Sequence, residues 1–251
     1  MSEALDAADA VVIGGGIAGI VAAMELLNAG RRVLVLERAS EEKLGGLARQ
    51  ALGGMALVDT PIQRRAGIRD SAEIALADWL SFAEFGPQDI WPRRWAEHYV
   101  ARCVPEVYEW LRAFGIGFMP AVQWVERGWM RPGNTLPRYH IVWGASQRMT
   151  DVLLSALREH PQRAKLRILC RRRVDALITR AGAVAGCSGE DEETKRPFSV
   201  SAEHVVIASG GISGDLARVR ANWPAELGAP PALLLNGSHP YADGRMHDAA
   251  V

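Results

Sequence analysis

The start of the chain combines two apolar runs with a glycine-rich turn and a helical repeat between them, and this order leaves few folds open. Residues 11–13 and 33–36 consist of Val, Leu and Ile, which is typical of strands buried on both faces. Between the two runs, apolar residues recur at helical spacing, namely Ile17, Ile20, Val21, Met24 and Leu27. Gly30 stands where a helix cap is expected. The pattern predicts a βαβ unit, and therefore an α/β fold, at the start of the chain.

Three glycines occupy the turn between the first strand and the helix. Gly14, Gly16 and Gly19 form the spacing G-x-G-x-x-G directly after the first apolar run. The first glycine permits the tight bend, the second lets a diphosphate approach the backbone, and the third lets helix and strand pack closely. Glu37 ends the second strand, where a carboxylate accepts hydrogen bonds from the ribose hydroxyls of an adenosine. Such turns also occur for structural reasons alone, but the agreement of strand, turn, helix, cap and acid favours a dinucleotide site.

Two further segments favour FAD over NAD. After Glu37 the chain continues into Gly45-Gly46 without the further helix of NAD domains. This resembles flavoproteins in which an extended segment runs back along the diphosphate and the ribityl chain. Residues 203–211, which end in Ala-Ser-Gly-Gly, resemble the strand-to-glycine segment that closes over the same nucleotide in these flavoproteins.

The resemblance extends over the whole chain to FAD-binding dehydrogenases related to 3-ketosteroid dehydrogenases and, more distantly, to the flavoprotein subunits of fumarate reductase and succinate dehydrogenase. The segments that carry it are residues 44–46, 53–54, 58–65, 67–71, 78–80, 91–97, 137–144, 221–224 and 243–246. The part from Val58 to Trp95 is specific to this family, because many flavoproteins share the glycine motifs. One departure is that Arg49, Gln50 and Ala51 stand where relatives tend to place a small hydroxyl residue near the flavin.

The resemblance implies a Rossmann-like FAD-binding domain with inserted helices and a β-meander. Its nucleotide-binding core comprises residues 8–60 and 165–251, and the insertion of helices and loops comprises residues 61–164. Relatives are about twice as long, so the cap domain is expected to be absent or truncated. Since no histidine lies near Gly45-Gly46, where succinate dehydrogenase relatives tether FAD, the cofactor is expected to be non-covalent.

The same resemblance implies a set of FAD-binding residues and a reaction class. In relatives the residue that matches Val174 meets the adenine through its backbone. The predicted FAD-binding residues are Gly14, Gly15, Gly16, Ile17, Ala18, Gly19, Glu37, Arg38, Gly45, Gly46, Val174, Ala208, Ser209 and Gly210. The implied reaction is hydride transfer between the flavin and an activated carbon–carbon bond of a small-molecule substrate. The alternative is a truncated, non-catalytic module that binds FAD or another nucleotide.

Composition excludes several other classes of protein. Lys and Arg together number 29, as do Asp and Glu, so no net charge favours nucleic acid or an anionic membrane. The run 171–173, three arginines, is interpreted as a solvated strand edge, with an anion site as the alternative. No secretory signal or membrane-spanning apolar segment stands out, and Cys103, Cys170 and Cys187 lack metal-site spacing. The expectation is a cytoplasmic protein with reduced thiols, and the oligomeric state stays open.

Local signals predict the remaining elements. Residues 70–73 form a capping signal for a helix, and a second helix starts near Pro92 and is divided at Pro105. Five of the eight tryptophans lie between Trp79 and Trp124, a stripe that favours packing, with a ligand-binding box as the alternative. Residues 124–143 form an ordered loop region, and a short amphipathic helix covers residues 150–160. Residues 166–169, 174–178 and 184–187 are strand-like, with a hairpin turn at residues 181–182.

Few side chains are candidates for catalysis. Tyr139 and His140 lie in a segment that resembles the family, so they are the candidate active-site residues, although a structural role is the favoured alternative for both. Residues 243–244, Asp-Gly, are expected to shape a turn at the FAD. No G-x-S-x-G motif is present, so the sequence does not support serine hydrolysis.

Overall fold

The apolar runs at the start of the chain form the centre of a mixed sheet. A computed structural model describes residues 3–128 and 130–251. The strands are β1 (Glu3–Ala4), β2 (Ala8–Ile13), β3 (Val33–Leu36), β4 (Gly54–Ala56), β5 (Tyr139–Ile141), β6 (Leu166–Leu169), β7 (Arg172–Arg180), β8 (Ala183–Asp191) and β9 (Pro197–Ile207). The α-helices are α1 (Ile17–Asn28), α2 (Pro61–Arg65), α3 (Ala72–Ala83), α4 (Ile90–Cys103), α5 (Glu109–Ala113), α6 (Ala145–Arg158), α7 (Leu216–Ala221) and α8 (Arg245–Ala249).

The order of the strands confirms the Rossmann-like α/β prediction. The main sheet has the order β6-β3-β2-β9-β8-β7, and β1 pairs with β9. The four strands β6, β3, β2 and β9 are parallel, and their order matches strands 3-2-1-4 of the doubly wound order. β2 lies between β3 and β9, with Val11 opposite Leu34 on one side and Val205 on the other. Because β2 and β3 are covered on both faces, their residues from Val33 to Leu36 and from Ala10 to Ile13 are almost fully buried.

The antiparallel part of the sheet is the predicted meander, with one difference. The bounds predicted for residues 166–169 are correct, but β6 extends the parallel sheet beside β3 and is not part of the meander. The meander consists of β7, β8 and the first half of β9. Ala181 and Gly182 both have positive φ, 50° and 78°, as a two-residue hairpin turn requires.

The helix ends follow from local chemistry. At the end of α1, Gly30 donates its N–H to the carbonyl of Leu27 at 2.8 Å and Arg31 donates to Leu26 at 3.0 Å. With φ of 76° at Gly30, this is a Schellman cap. Between α4 and α5 the chain makes a π-helical turn from Val104 to Tyr108. This turn accommodates Pro105, which has no N–H to donate, so the predicted division at Pro105 is observed.

The chain divides into two units whose boundaries differ from the predicted ones. One unit contains the chain up to Gln50 and from Leu153 onward, and the other is Ala51–Val152. The first boundary lies between Gln50 and Ala51, before the predicted boundary at residue 60. The reason is that β4 pairs with β5, a strand of the insertion, and therefore belongs to the same unit as β5. The second precedes residue 164 because α6 already begins at Ala145 and its last turns belong to the first unit.

The interior of the inserted unit does not contain most of its tryptophans. Its apolar core includes Leu57, Ile62, Val100 and Tyr108. By contrast Trp91 and Trp95 are 68% and 69% exposed, and Trp79 and Trp124 are also exposed. Trp79 packs edge-on against the ring of Tyr99, but these four side chains lie outside the interior. Among residues 3–128 and 130–251, none of the helices combines the length and the apolar character needed to cross a bilayer.

Candidate cofactor site

The three glycines of the turn after β2 are required for three different reasons. Gly14 has φ of 108°, and a Cβ there would overlap the carbonyl oxygen of Ala208. A Cβ on Gly19 would overlap the carbonyl oxygen of Gly14, so Gly19 permits the close approach of α1 to the turn. At Gly16, however, a Cβ would meet no protein atom within 4 Å. The fold itself therefore does not require a glycine at position 16, whereas a diphosphate lying against the backbone does.

The helix after the turn begins without a side-chain cap. Gly16 is the N-cap of α1, with φ of −73° and ψ of −179°, and no side chain accepts from the first turn. The N–H groups of a first helical turn have no partner within the helix, and they carry the positive end of the helix dipole. The start of α1 therefore presents donors and a positive potential to an anion such as a diphosphate.

Glu37 stabilises the turn from the end of β3. Its Oε2 accepts from the N–H of Gly15 at 2.6 Å, and its Oε1 accepts from the N–H of Ala39 at 2.6 Å. The side chain is buried, with the residue 9% exposed. Each carboxylate oxygen has a second lone pair, so Glu37 remains able to accept from ribose hydroxyls while it holds both backbone groups.

The second glycine pair lies against the first turn. The N–H of Gly45 donates to the carbonyl of Gly15 at 2.8 Å, and Gly45 forms an isolated parallel bridge with Gly16. Gly46 has φ of 57°, and a Cβ on it would lie 3.3 Å from the Cα of Gly16. Backbone from two distant glycine motifs therefore meets around Gly16.

Two adjoining cavities in this unit collect the predicted residues. One cavity, of about 180 Å³, lies over the ends of β2, β3 and β9 and beside Val174, and the other, of about 520 Å³, lies beside the start of α1. The predicted residues that line at least one of them are Gly14, Gly16, Ile17, Ala18, Glu37, Arg38, Gly45, Gly46, Val174, Ala208, Ser209 and Gly210. The other two, Gly15 and Gly19, act on the turn instead, through Glu37 and Gly14 respectively.

The arginine run at the start of β7 is not the solvated edge that the sequence favoured. Arg171 is half exposed beside Glu193, but the side chains of Arg172 and Arg173 are each only 19% exposed. Arg172 donates to Asp191, and both arginines line the first cavity. β7 is the last strand of the sheet, but carboxylates on the neighbouring strand draw these two guanidinium groups inward.

Sequence reasoning missed part of the cavity wall. Residues 238–246, here called the strap, line the first cavity except at Pro240. Within the strap Asp243 and Gly244 shape a turn: Oδ1 of Asp243 accepts from the N–H of Arg245 at 3.1 Å, and Gly244 has φ of 75°. The sequence singled out this turn but gave no signal that the strap closes the cavity.

Of the two candidate catalytic residues, His140 is held as a neutral structural group. Its Nδ1 lies 2.6 Å from the carbonyl oxygen of Arg138, which can only accept, so Nδ1 donates. Its Nε2 then accepts from the hydroxyl of Thr60 at 2.7 Å. Burial lowers the pKa of His140, and the residue is 1% exposed. The ring of Tyr139 lies over Gly54, so this segment packs β5 onto β4.

A buried ion network beside His140 was also missed. The Arg138 guanidinium donates from Nε and Nη2 to both oxygens of Asp70 at 2.8 Å, and from Nη1 to Asp78 at 2.6 Å. The three side chains are 3%, 0% and 8% exposed. Burial opposes ionisation of Asp78, but hydrogen bonds from Thr135 and Arg138 hold its pKa below the usual value. The network fixes the loop before β5 to α3.

Comparisons with known proteins identify the family. A model of the FAD binding domain matches residues 9–251. The chain belongs to the FAD binding domain family. FAD is its cofactor, and the open backbone at Gly16 and the two adjoining cavities fit a dinucleotide.

Relatives of this FAD-binding domain are dehydrogenases and reductases. A KsdD-like steroid dehydrogenase of Mycobacterium tuberculosis is 43% identical over 95% of this chain and 45% of its own length. The crystal structure of 3-ketosteroid-Δ4-(5α)-dehydrogenase from Rhodococcus jostii in complex with 4-androstene-3,17-dione has a TM-score of 0.80 at 25% identity. The structural match covers 100% of this chain and 54% of the dehydrogenase chain. A flavocytochrome c3 fumarate reductase has the same fold, with a TM-score of 0.78 at 20% identity over 99% of this chain and 40% of that one. The chain spans about half the length of the curated relative that it matches.

Proposed function

We propose that the protein is an FAD-dependent oxidoreductase that transfers hydride to or from a carbon–carbon bond of a small apolar or carboxylated substrate. The observation that carries the FAD site is the open space at Gly16 between two adjoining cavities. The reaction class is supported by the steroid dehydrogenase that is 43% identical to this chain. A cytoplasmic location stays a prediction, supported by the free state of Cys103, Cys170 and Cys187.

Each part of the site has a separate task in binding. FAD supplies the hydride chemistry when it is bound. The start of α1 donates backbone N–H groups to the diphosphate, and Gly16 allows the contact. Glu37 would accept from the ribose of the adenosine, and the backbone of Val174 would meet the adenine. Neither nitrogen of His140 is free to move a proton, so we do not assign it a catalytic role.

The second candidate function is a non-catalytic FAD-binding module. One observation favours it. His140, one of the two candidate acid–base residues, is buried with both ring nitrogens in hydrogen bonds. The two candidates differ in a turnover assay with an artificial electron acceptor against a panel of steroids and dicarboxylates. Reduction of the acceptor with any member supports the oxidoreductase. A protein that holds FAD but turns over none of them supports the module.

The FAD site is tested by the substitution Gly16→Val. A Cβ at position 16 would meet no protein atom within 4 Å, but a valine side chain would occupy the place of the diphosphate, so the variant is expected to fold and to lose FAD. Gly86→Val is the matched control, because its Cβ would also be accommodated, 3.5 Å from Asp89 Oδ2, in the other unit. Folding is checked by circular dichroism, and released flavin is measured in the supernatant after denaturation. A folded Gly16→Val protein with stoichiometric FAD would refute the site, and a colourless wild type saturated by NAD would refute the cofactor.

A further inference from the structure

A closed ring of alternating charges borders the first cavity. Six side chains form it, each between two of opposite charge: Arg38, Glu192, Arg173, Asp175, Arg245 and Asp243. Four of them also line the cavity, namely Arg38, Arg173, Asp243 and Arg245. Isolated ion pairs on a surface contribute little, but a network of half-buried pairs holds its members in one arrangement.

The distances around the ring identify its shortest ion pairs. Arg38 Nε lies 2.7 Å from Glu192 Oε1, and Arg38 Nη1 lies 2.8 Å from Asp243 Oδ2. On the opposite side, Asp175 Oδ1 lies 2.8 Å from Arg173 Nε and 3.0 Å from Arg245 Nη1. The remaining two ion pairs are longer. They are Arg173 with Glu192 at 3.5 Å and Arg245 with Asp243 at 3.6 Å.

The ring joins three segments that are far apart in the chain. Arg38 comes directly after β3. Arg173 lies on the β7–β8 hairpin, and Glu192 lies in the turn after the hairpin. Asp243 belongs to the strap. Arg38 binds both Glu192 on the hairpin side and Asp243 on the strap, and its guanidinium also lies 4.4 Å from the centre of the Tyr241 ring on the strap. A second pair, Asp175 with Arg245, also joins the hairpin to the strap. The Arg38 side chain is 25% exposed. Arg38 therefore contacts the strap at two points, through an ion pair and a cation–π contact.

Two carboxylates of the ring, those of Glu192 and Asp243, have pKa values below their usual range. Burial opposes ionisation of Glu192, but Lys195 and Arg38 lower its pKa to about 2. Burial likewise opposes ionisation of Asp243, but the backbone of Arg245 and the side chain of Arg38 hold its pKa below the usual value. Salt, which screens ion pairs, is therefore the variable that we use to weaken the ring.

We propose that this ring is an ionic clamp on the adenosine end of bound FAD, with Arg38 as the latch that keeps the strap closed. Arg38 is then a positioning residue that acts through Asp243 and Tyr241. The cofactor leaves only after the strap separates from Arg38. The inference rests on the proposed FAD site, because the strap lines the cavity assigned to the adenosine.

The test measures how fast FAD leaves the full chain. Protein loaded with FAD is diluted, and the return of flavin fluorescence is followed for wild type, Arg38→Met, Asp243→Asn and the double variant. Methionine keeps an apolar stem under the Tyr241 ring but removes every donor. Loss of a charge-assisted hydrogen bond in each single variant is expected to speed release about 10-fold. The double variant is expected to release FAD no faster than the faster single variant, because each single substitution already breaks the Arg38–Asp243 ion pair.

Asp9→Asn is the matched control. Asp9 accepts from the Arg32 guanidinium at 2.6 Å in the same unit, but this pair does not line the cavity. Its release rate is expected to equal that of wild type. Raising the salt shortens the screening length from about 10 Å at 0.1 M to about 3 Å at 1 M, so salt should speed release from wild type more than from Arg38→Met, which keeps only the Asp175–Arg245 pair between hairpin and strap.

Each outcome decides between the clamp and its alternatives. If Arg38→Met releases FAD quickly while Asp243→Asn behaves as wild type, Arg38 contacts FAD directly and the clamp is wrong. A wild-type release rate that is independent of salt also overturns it, without the need for any variant. Hydrogen exchange of the strap gives a further measurement: FAD should protect it in wild type and protect it less in Arg38→Met. A wild-type protein that holds no FAD refutes the proposed function, which is a different result from a failed clamp.

Discussion

Replacing Glu37 by glutamine tests whether this residue acts on the protein as well as on the cofactor. From the sequence alone, Glu37→Gln removes a charge and leaves an acceptor for the ribose. In the structure both oxygens already accept from backbone N–H groups, of Gly15 and Ala39, each at 2.6 Å. Glutamine has one oxygen and one NH₂ group. One of the two backbone N–H groups would then face another donor.

The expected cost follows from these two hydrogen bonds. A buried N–H without an acceptor costs about 1–3 kcal/mol, and the surviving bond loses about 1 kcal/mol with its charge. The free energy of unfolding of the FAD-free protein should fall by about 2–4 kcal/mol. For a chain of this length, that corresponds to a decrease in Tm of about 5–15 °C. Asp9→Asn is the control, because Asp9 also accepts a backbone N–H and a guanidinium of Arg32 but at an exposed pair, where solvent screens the interaction and the loss is small.

The assay is urea unfolding of both variants after removal of FAD, followed by titration of the refolded proteins with FAD. We expect Glu37→Gln to unfold at lower urea than wild type before any cofactor is added, and to bind FAD more weakly afterwards. An FAD-free Glu37→Gln protein within about 0.5 kcal/mol of wild type would refute the reasoning. Glu37 would then act through the ribose alone.

The inserted unit supports two further predictions. Arg138→Met leaves the carboxylates of Asp70 and Asp78 buried without their cation, so the free energy of unfolding should fall by about 3–5 kcal/mol in urea titrations. Burial lowers the pKa of His140, so the unfolded chain takes up a proton near pH 6.5 before the folded one does, and stability decreases as the pH falls below that value. His140→Gln keeps an acceptor for Thr60 and should weaken this decrease in unfolding midpoints between pH 7.5 and 5.5.

The elements that the sequence predicted well are those whose signal is local. Residues 166–169 are a strand with the predicted bounds, and residues 181–182 are the predicted turn. Ser71 caps α3 by accepting from the N–H of Ile74 at 3.3 Å, as the capping signal requires. In each case the residues that make the structure are within a few positions of one another, so their spacing is sufficient to indicate it.

The interactions that the sequence did not indicate join residues far apart in the chain. Arg138 and Asp70 are separated by 68 positions, and Arg38 and Glu192 by 154. Nothing in the spacing of an arginine specifies which carboxylate it will meet. The arginine run was misinterpreted for the same reason: three adjacent cations suggest solvent exposure until Asp191 on β8 is known to lie beside Arg172.

The glycine turn shows how the demands of fold and cofactor are separated within one motif. The motif has glycine at all three positions, Gly14, Gly16 and Gly19, but in the structure a Cβ would overlap backbone at the first and third and would meet no protein atom within 4 Å at the second. Substitutions at Gly14 and Gly19 therefore act on folding, and any loss of FAD that they cause says nothing about contact with the cofactor. Because Gly16 alone of the three has room for a Cβ, loss of FAD by a folded Gly16→Val protein isolates the diphosphate contact from the turn that supports it.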